Sequence, residues 1–151
     1  ERPVGGVDLP PTILSYARLS LPWEMHGRDL SPLLTSPGRR WPYSVLTALT
    51  GEKFGSDTDV VPKTREILYK TADVPWWVSL MDGRYKYIRT LVDDEMEELY
   101  DLKTDPEELV NLAWAPSELE RLREMRRATI AELSRTGAGL VNTLPPYSTP
   151  K

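Results

Sequence analysis

Large side chains, mostly aromatic, alternate with a mixed set of residues near the middle of the chain and predict a half-buried strand. Tyr85, Tyr87, Arg89 and Leu91 alternate with Lys86, Ile88 and Thr90 over residues 85–91. A period of two places the first set on one side of an extended segment and the second set on the other. An acidic link follows, and the short run Glu98–Leu102 has the composition to pair back against the first strand.

Further strands are predicted at Ser44–Leu49, Arg65–Thr71 and Trp76–Met81. The dipeptide Asp82-Gly83 then predicts a type I′ hairpin turn, because that turn needs positive φ at both central residues. The turn would join Trp76–Met81 to Arg84–Leu91. We therefore expect four or five short antiparallel strands in one sheet, one face of which must be buried by another element.

An amphipathic helix near the C-terminus is predicted to provide that cover. Apolar or small residues recur there every three or four positions, with charged residues between them, which indicates about five turns at 3.6 residues per turn. The helix is expected to end at Gly137. The repeating positions are Leu119, Leu122, Met125, Thr129, Ile130 and Leu133. The fold class is therefore α+β: a small antiparallel sheet packed against a long C-terminal helix, preceded by a helix-and-loop segment.

Two helix starts are predicted from capping residues. Asp8 is expected to cap a helix that includes Ile13 and Leu14 and stops near residues 18–20, with a loop and a short turn at residues 30–34 to follow. Asp105-Pro106 predicts a second start, in which Asp105 is the cap and Glu108 its capping-box partner.

Composition excludes several classes of function. The 151 residues carry a net charge of -4, which argues against general nucleic-acid binding because that requires excess clustered Lys and Arg. There is no Cys, so neither disulfides nor thiolate metal sites can form. No apolar run reaches the ~18 residues of a membrane span. We therefore expect neither nucleic acid nor a membrane as a partner.

Two stretches resemble a known family. The first is Tyr-Lys-Tyr-Ile at 85–88, followed by Glu-Leu-Tyr-Asp-Leu at 98–102, Asp-Pro at 105–106 and Glu-Leu-x-Asn-Leu-Ala at 108–113. The second, residues 7–34, holds an Asp-x-x-Pro-Thr helix before a Gly-Arg-x-Leu loop. Together they resemble the C-terminal portion of type I sulfatases of the alkaline-phosphatase-like superfamily, of the arylsulfatase and N-sulphoglucosamine sulphohydrolase type.

The resemblance implies a division of the chain and of the chemistry. Residues 1–40 would be the tail of the sulfatase catalytic domain, and residues 41–151 the C-terminal subdomain. The chain would be inactive alone, while Ca²⁺ and formylglycine would be held by a catalytic domain that precedes it. The parent protein would be periplasmic or secreted, and would act on a sulfated carbohydrate or an aryl sulfate ester. An apolar surface around Val7, Ile13 and Leu14 would cause self-association if that domain were absent.

The residues themselves offer few candidates for catalysis. Thr35-Ser36-Pro37-Gly38-Arg39 has the spacing of the sulfatase Cys/Ser-x-Pro-x-Arg motif, but Thr cannot give the same aldehyde, so the segment is interpreted as a turn. Asp93-Asp94 and Glu97-Glu98 are interpreted as solvated charges, with a cation site or glycosidase carboxylates as the alternative. We therefore expect neither a catalytic set nor a metal site in this chain.

Six residues are candidates for substrate binding, each with a structural alternative. His26 is the only imidazole, and hydrogen bonding within its own loop is the alternative to a binding role. One of the adjacent Trp residues should pack in the core and the other should lie on a contact surface. The basic residues could attract a sulfated group, although Arg84, Lys86 and Arg89 are interpreted first as solvated charges beside a strand. The candidates are His26, Arg28, Trp76, Trp77, Arg84 and Lys86.

Two other functions remain open. The chain could be a stand-alone glycan- or protein-binding module, which would retain its ligand without a partner. It could also be the C-terminal part of a related phosphodiesterase or phosphonate hydrolase, which would differ in the nucleophile of the preceding domain.

Overall fold

The computed structural model describes residues 2–51, 58–64 and 74–147. The chain divides into two compact units, Glu1–Val45 and Leu46–Lys151. The predicted division after residue 40 into parts of two sulfatase domains stays a prediction. The strand predicted at Arg65–Thr71 lies outside the described residues.

The first unit is built on two short helices. A 3₁₀ turn at Gly6–Asp8 runs directly into α1, Leu9–Tyr16, whose first turn tolerates two prolines. α1 ends slightly earlier than predicted, because Arg18 adopts a left-handed conformation with φ of 56°. α2, Ser31–Thr35, occupies the predicted short turn, and the amide of Arg39 then donates to the carbonyl of Ser36 at 2.9 Å. The Ser-Pro-Gly segment is therefore a turn, as predicted.

Within its described residues, the second unit is a four-stranded antiparallel sheet with a helix on one face, which confirms the α+β fold class. The strands are β1 (Val45–Leu49), β2 (Trp77–Met81), β3 (Tyr85–Thr90) and β4 (Glu98–Asp101), in the spatial order β1-β2-β3-β4. The long helix α3, Leu119–Arg135, follows a 3₁₀ turn at Pro116–Glu118 and precedes another at Gly139–Asn142.

The core of the second unit lies between the sheet and α3. Tyr87 and Leu80 from the sheet pack with Leu122 and Met125 of α3. A neighbouring cluster joins Trp76, Val78 and Leu91 to Leu133 and Leu140. The predicted buried stripe of α3 is confirmed at four positions, whereas Leu119 is exposed and Ile130 is half-buried.

The hairpin between β2 and β3 is confirmed, but its turn is not the predicted one. The amide of Asp82 donates to the carbonyl of Tyr85 at 3.1 Å, so the two central residues are Gly83 and Arg84. Only Gly83 has positive φ, at 99°. Positive φ at the first central residue alone is the pattern of a type II′ turn, since type I′ requires it at both.

The predicted helix start at Asp105 is wrong. Glu108 has a φ of 58°, which a right-handed helix cannot contain. Asp105 instead closes a turn, in which its carboxylate accepts the amides of Leu109 and Val110. Glu108 makes an ion pair with Lys86 and therefore does not complete a capping box.

Candidate functional site

Two buried polar side chains of the first unit hold the loop that carries Arg28. The carboxylate of Asp8 accepts the Arg28 amide at 2.7 Å and the Gly5 amide at 2.8 Å. The hydroxyl of Thr12 accepts the Leu30 amide at 2.9 Å and donates to the carbonyl of Asp8 at 2.6 Å. Asp8 therefore makes no side-chain cap to α1, contrary to the prediction, because its oxygens bind other segments. The Asp-x-x-Pro-Thr and Gly-Arg-x-Leu motifs thus form one hydrogen-bonded structure.

Gly27 allows this loop to lie directly against the chain that enters α1. A Cβ atom at Gly27 would stand 1.8 Å from the carbonyl oxygen of Val7, so every side chain is excluded there. The contact is between backbone atoms of the two segments. Neither segment can move away without breaking the hydrogen bonds that Asp8 and Thr12 make. The conformation at Arg28 is therefore fixed by packing and by hydrogen bonds together.

Asp29, next in the loop, is held as a carboxylate. Its oxygen accepts the Ser31 amide at 2.8 Å, and the Ser31 hydroxyl binds it as well. Burial acts to raise the pKa of Asp29, but hydrogen bonds from Ser31 and Ser15 outweigh it, and the pKa is lowered from its ordinary value. Asp29 is therefore ionised at neutral pH.

Arg28 lies beside an aromatic pair and lines a cavity of about 350 Å³. Its guanidinium carbon is 4.5 Å from the centre of the Tyr43 ring, a cation–π arrangement. Tyr43 packs edge to face with Trp41, whose indole nitrogen donates to the carbonyl of Pro3 at 3.1 Å. The cavity is lined by Arg28, Asp29, Pro32, Arg39, Arg40, Trp41, Pro42 and Tyr43.

The charge of this cavity favours an anion. Arg28, Arg39 and Arg40 contribute three positive charges, and Asp29 contributes one negative charge. Guanidinium groups bind the oxygens of sulfate, phosphate and carboxylate groups through paired N–H donors. Sequence reasoning found Arg28 but gave no binding role to Arg39 and Arg40. The available signal was an adjacent Arg pair directly before Trp41 and Tyr43. We call this cavity the arginine cavity.

His26 lies outside the arginine cavity. Its side chain is exposed in the same loop, and it is not among the cavity's lining residues. Its binding role stays a prediction.

The other four predicted binding residues belong to the second unit. Trp76 is buried in the core, and Trp77 is half-buried on the opposite side of β2, as alternation requires. Trp77 and Lys86 line a groove of about 450 Å³ on the sheet face opposite α3. We call it the sheet groove. The Lys86 ammonium donates to both oxygens of Glu108, at 2.7 and 2.9 Å.

Arg84 makes a paired contact with Asp101. Its Nε and Nη2 atoms donate to the two carboxylate oxygens at 3.1 and 2.7 Å. The hydrogen bond from Arg84 outweighs burial and lowers the pKa of Asp101 to about 2. Arg84 therefore fixes the end of β4, and a role in binding an anion stays a prediction.

Two charged residues that were expected to be solvated are buried. Arg89 is covered because it reaches under the tail, where it donates to the carbonyl of Pro145 and lies 4.2 Å from the Tyr147 ring. Glu97 accepts hydrogen bonds from the Tyr87 hydroxyl and from Nε and Nη2 of Arg126. Its neighbour Glu98 is half-buried and accepts the hydroxyl of Tyr100.

The Glu97 contacts form an internal network and leave no opening for substrate. Burial, followed by the charge of Glu97, raises the pKa of Tyr87 far above its ordinary value. Burial acts to lower the pKa of Arg126, but the hydrogen bond to Glu97 outweighs it and raises that pKa. Tyr87 is therefore neutral and Arg126 is charged at neutral pH. Within residues 2–51, 58–64 and 74–147, no three His, Cys, Asp or Glu side chains are grouped to hold a metal ion.

The described part of the chain contains no helix that is both long enough and apolar enough to span a bilayer. Neither a family model nor a curated protein sequence matches the chain.

Comparison with solved structures gives clear matches. BT1596, a 2-O GAG sulfatase, is 28% identical with a TM-score of 0.63, over 86% of this chain and 24% of its own. BT4656, solved with its substrate D-glucosamine-2-N,6-O-disulfate, is 19% identical with a TM-score of 0.66, over 86% and 24% of the two chains. The phosphonate monoester hydrolase of Agrobacterium radiobacter is 19% identical with a TM-score of 0.65, over 89% and 26%. The chain thus spans about a quarter of the length of these structures.

Proposed function

Because this chain is the C-terminal portion of a sulfatase-like protein of the alkaline-phosphatase-like superfamily, we propose that it completes an enzyme whose reactive centre lies in another domain. In this proposal the chain is inactive alone. It packs against the catalytic domain and forms one wall of the substrate cleft.

The main support for the proposal is an exposed apolar stripe on α1. Leu9, Ile13 and Tyr16 recur at four and three residues along α1, so they share one side of the helix. Their exposed fractions are 56%, 64% and 58%, and Val7 just before the helix is also exposed. A stripe of this kind is the surface that a helix normally buries against a sheet or another helix. The catalytic domain is the occupant that we assign to it, since the matched structures are about four times longer than the residues they share with this chain.

The arginine cavity supports an anionic substrate. Its three guanidinium groups and its aromatic wall suit a sulfated sugar, in which a charged ester is attached to a ring with an apolar face. The names of two matched structures specify such compounds: a glucosamine disulfate for BT4656 and sulfated glycosaminoglycan for BT1596. A sulfated carbohydrate is therefore the substrate class that we propose, ahead of a simple aryl sulfate ester.

This chain's own residues do not fit formylglycine or its calcium ion. It has no Cys, and the segment with the sulfatase spacing carries Thr35 where the modified residue would stand. The carboxylates of its described residues are not grouped as hard-cation ligands. Both groups are therefore assigned to the catalytic domain, and none of the residues described here is given a catalytic role.

A phosphonate or phosphate diester hydrolase is the second candidate. The likeness to the Agrobacterium radiobacter enzyme is as close in fold as the likeness to the sulfatases. A phosphonate monoester is also a tetrahedral anion, so the arginine cavity would suit it equally. The residue at the nucleophile position of the preceding domain separates the two candidates: Cys or Ser in the formylglycine motif with sulfate-ester turnover favours a sulfatase.

Association with the catalytic domain tests the proposal directly. The 151-residue chain and the catalytic portion of the parent protein would be produced separately and mixed, and their dissociation constant measured by calorimetry. Ile13→Glu should weaken binding by at least about a hundredfold, because it buries a charge in an apolar contact. Leu109→Glu, at a position that is 76% exposed in the second unit, is the matched control and should bind normally.

Equal binding by the chain and the Ile13→Glu variant would reject α1 as the packing surface. A chain that retains sulfated glycans without any partner would favour the stand-alone module.

A further inference from the structure

The sheet groove combines an aromatic ring with a border of hydroxyl and carboxylate groups. Trp77 on β2 lies opposite Thr90 on β3, and Ser79 lies opposite Ile88. Ile88 in turn lies opposite Glu98 on β4. Directly opposed residues of antiparallel strands share a face, so these side chains form one continuous surface across three strands.

Among the described residues, this face of the sheet carries a groove, and no described helix packs on it. α3 covers the other face of the sheet, where Leu80 and Tyr87 pack with Leu122. On the groove side, Val74 and Pro75 stand before β2, and Thr47 of β1 completes the lining. The volume of about 450 Å³ is enough for one or two sugar rings. Trp77 is half-buried, so it is anchored in the sheet and still accessible to a ligand.

The charges of the sheet groove disfavour an anion, unlike those of the arginine cavity. The Lys86 ammonium, the one cation among the residues that line it, is bound by both oxygens of Glu108. Glu98 contributes a carboxylate to the lining. A sulfate or phosphate in this groove would lie beside the carboxylates of Glu98 and Glu108, and the one cation, Lys86, is already neutralised by Glu108. Binding of such an anion would therefore be unfavourable.

We propose that the sheet groove binds an uncharged pyranose ring. The apolar C–H face of such a sugar stacks on Trp77 and contacts Ile88, while its hydroxyl groups pair with Thr47, Thr90 and Glu98. The hydroxyl groups of an uncharged sugar can donate to the Glu98 carboxylate without charge repulsion, whereas a purely apolar ligand would cover that carboxylate without donating to it. The inference rests on the second unit alone and does not depend on the proposed enzyme.

The test is a titration of the full 151-residue chain with neutral disaccharides. Cellobiose, maltose and N,N′-diacetylchitobiose would be added separately, with N-acetylglucosamine 6-sulfate as the anionic probe, and binding would be followed by the shift of the Trp77 indole signal in NMR. At least one neutral disaccharide should bind with a millimolar dissociation constant, as expected for a shallow site. N-acetylglucosamine 6-sulfate should bind more weakly in this groove.

Variants make the outcome specific to Trp77. Trp77→Ala should weaken binding of the neutral disaccharide by at least about tenfold, while Trp77→Phe, which keeps a ring, should retain most of it and control for folding. Trp23→Ala, at an exposed Trp in the first unit, should change nothing. Absence of binding for all three neutral sugars, equal binding by Trp77→Ala, or tighter binding of the sulfated probe at Trp77 would overturn the inference.

Discussion

The carboxylate of Asp8 accepts the backbone amide of Arg28 at 2.7 Å, across twenty residues of chain. With the Thr12–Leu30 hydrogen bond and the packing at Gly27, this bond positions the loop that carries Arg28 into the arginine cavity. Asp8→Asn replaces one accepting oxygen by an N–H₂ group that faces another donor. The free energy of unfolding of the first unit should fall by about 1–3 kcal/mol, the cost of unpaired buried donors.

Hydrogen exchange at the Arg28 amide measures this effect, and it should accelerate in Asp8→Asn. Thr12→Ser is the matched control, because the Ser hydroxyl can still accept the Leu30 amide. Unchanged protection of the Arg28 amide in Asp8→Asn would show that packing alone holds the loop.

Gly27→Ala should disrupt the same loop by steric conflict. Its Cβ would meet the Val7 carbonyl at 1.8 Å, and backbone atoms on both sides cannot yield as a flexible side chain would. We expect destabilisation of about 3 kcal/mol or more, comparable to severe overpacking. Gly38→Ala is the control, since nothing stands within 4 Å of its Cβ position. Thermal unfolding of the two variants compares them, and equal melting temperatures would contradict the backbone contact.

Glu97→Ala tests the buried network of the second unit. Glu97 is 2% exposed and Arg126 is 18% exposed, so removing the carboxylate leaves a poorly solvated cation and an unpaired Tyr87 hydroxyl. The expected loss is about 3–5 kcal/mol, as for other broken buried pairs.

The matched control for Glu97→Ala is Glu124→Ala. Glu124 pairs with Arg121 on the exposed surface of α3, so its loss should cost under ~1 kcal/mol. Chemical denaturation gives both values. Similar costs for the two variants would mean that the Glu97 pair is solvated in solution.

The Arg84 and Asp101 pair should make stability depend on pH in acid. The folded-state pKa of Asp101 is lowered from 3.8 to about 2, first of all by the hydrogen bond from Arg84. Its contribution is therefore fully present above pH 3.8 and is lost as the pH falls towards 2. Melting temperatures of the chain and of Asp101→Asn between these values should converge as the pH falls. A constant difference across that window would contradict the lowered pKa.

Local pattern was enough to predict most of the sheet and α3. The alternation of Tyr85, Tyr87 and Arg89 with Lys86 and Ile88 corresponds to the burial observed along β3. A periodic pattern is a strong signal because several consecutive residues support the same secondary structure. The family resemblance, which rests on ordered short motifs, agrees with the sulfatases among the matched structures.

Long-range partners could not be predicted from the sequence. Asp8 precedes a helix and looks like its cap, yet its oxygens bind Gly5 and Arg28 instead. Glu97 and Glu98 are identical neighbours, and Glu97 is internal because Tyr87 and Arg126 both bind it. The arginine cavity depends likewise on how the loop of Arg28 folds back beside Tyr43. These facts are set by tertiary packing, which local composition does not encode.

The most direct test of the central claim is complementation of sulfatase activity. The purified 151-residue chain, the catalytic portion of its parent and their mixture would each be assayed for hydrolysis of an aryl sulfate and of a sulfated glucosamine. We expect no turnover by the chain alone, little by the catalytic portion, and restored turnover of the sulfated sugar in the mixture. Turnover by the chain alone, or full activity of the catalytic portion without it, would contradict the account.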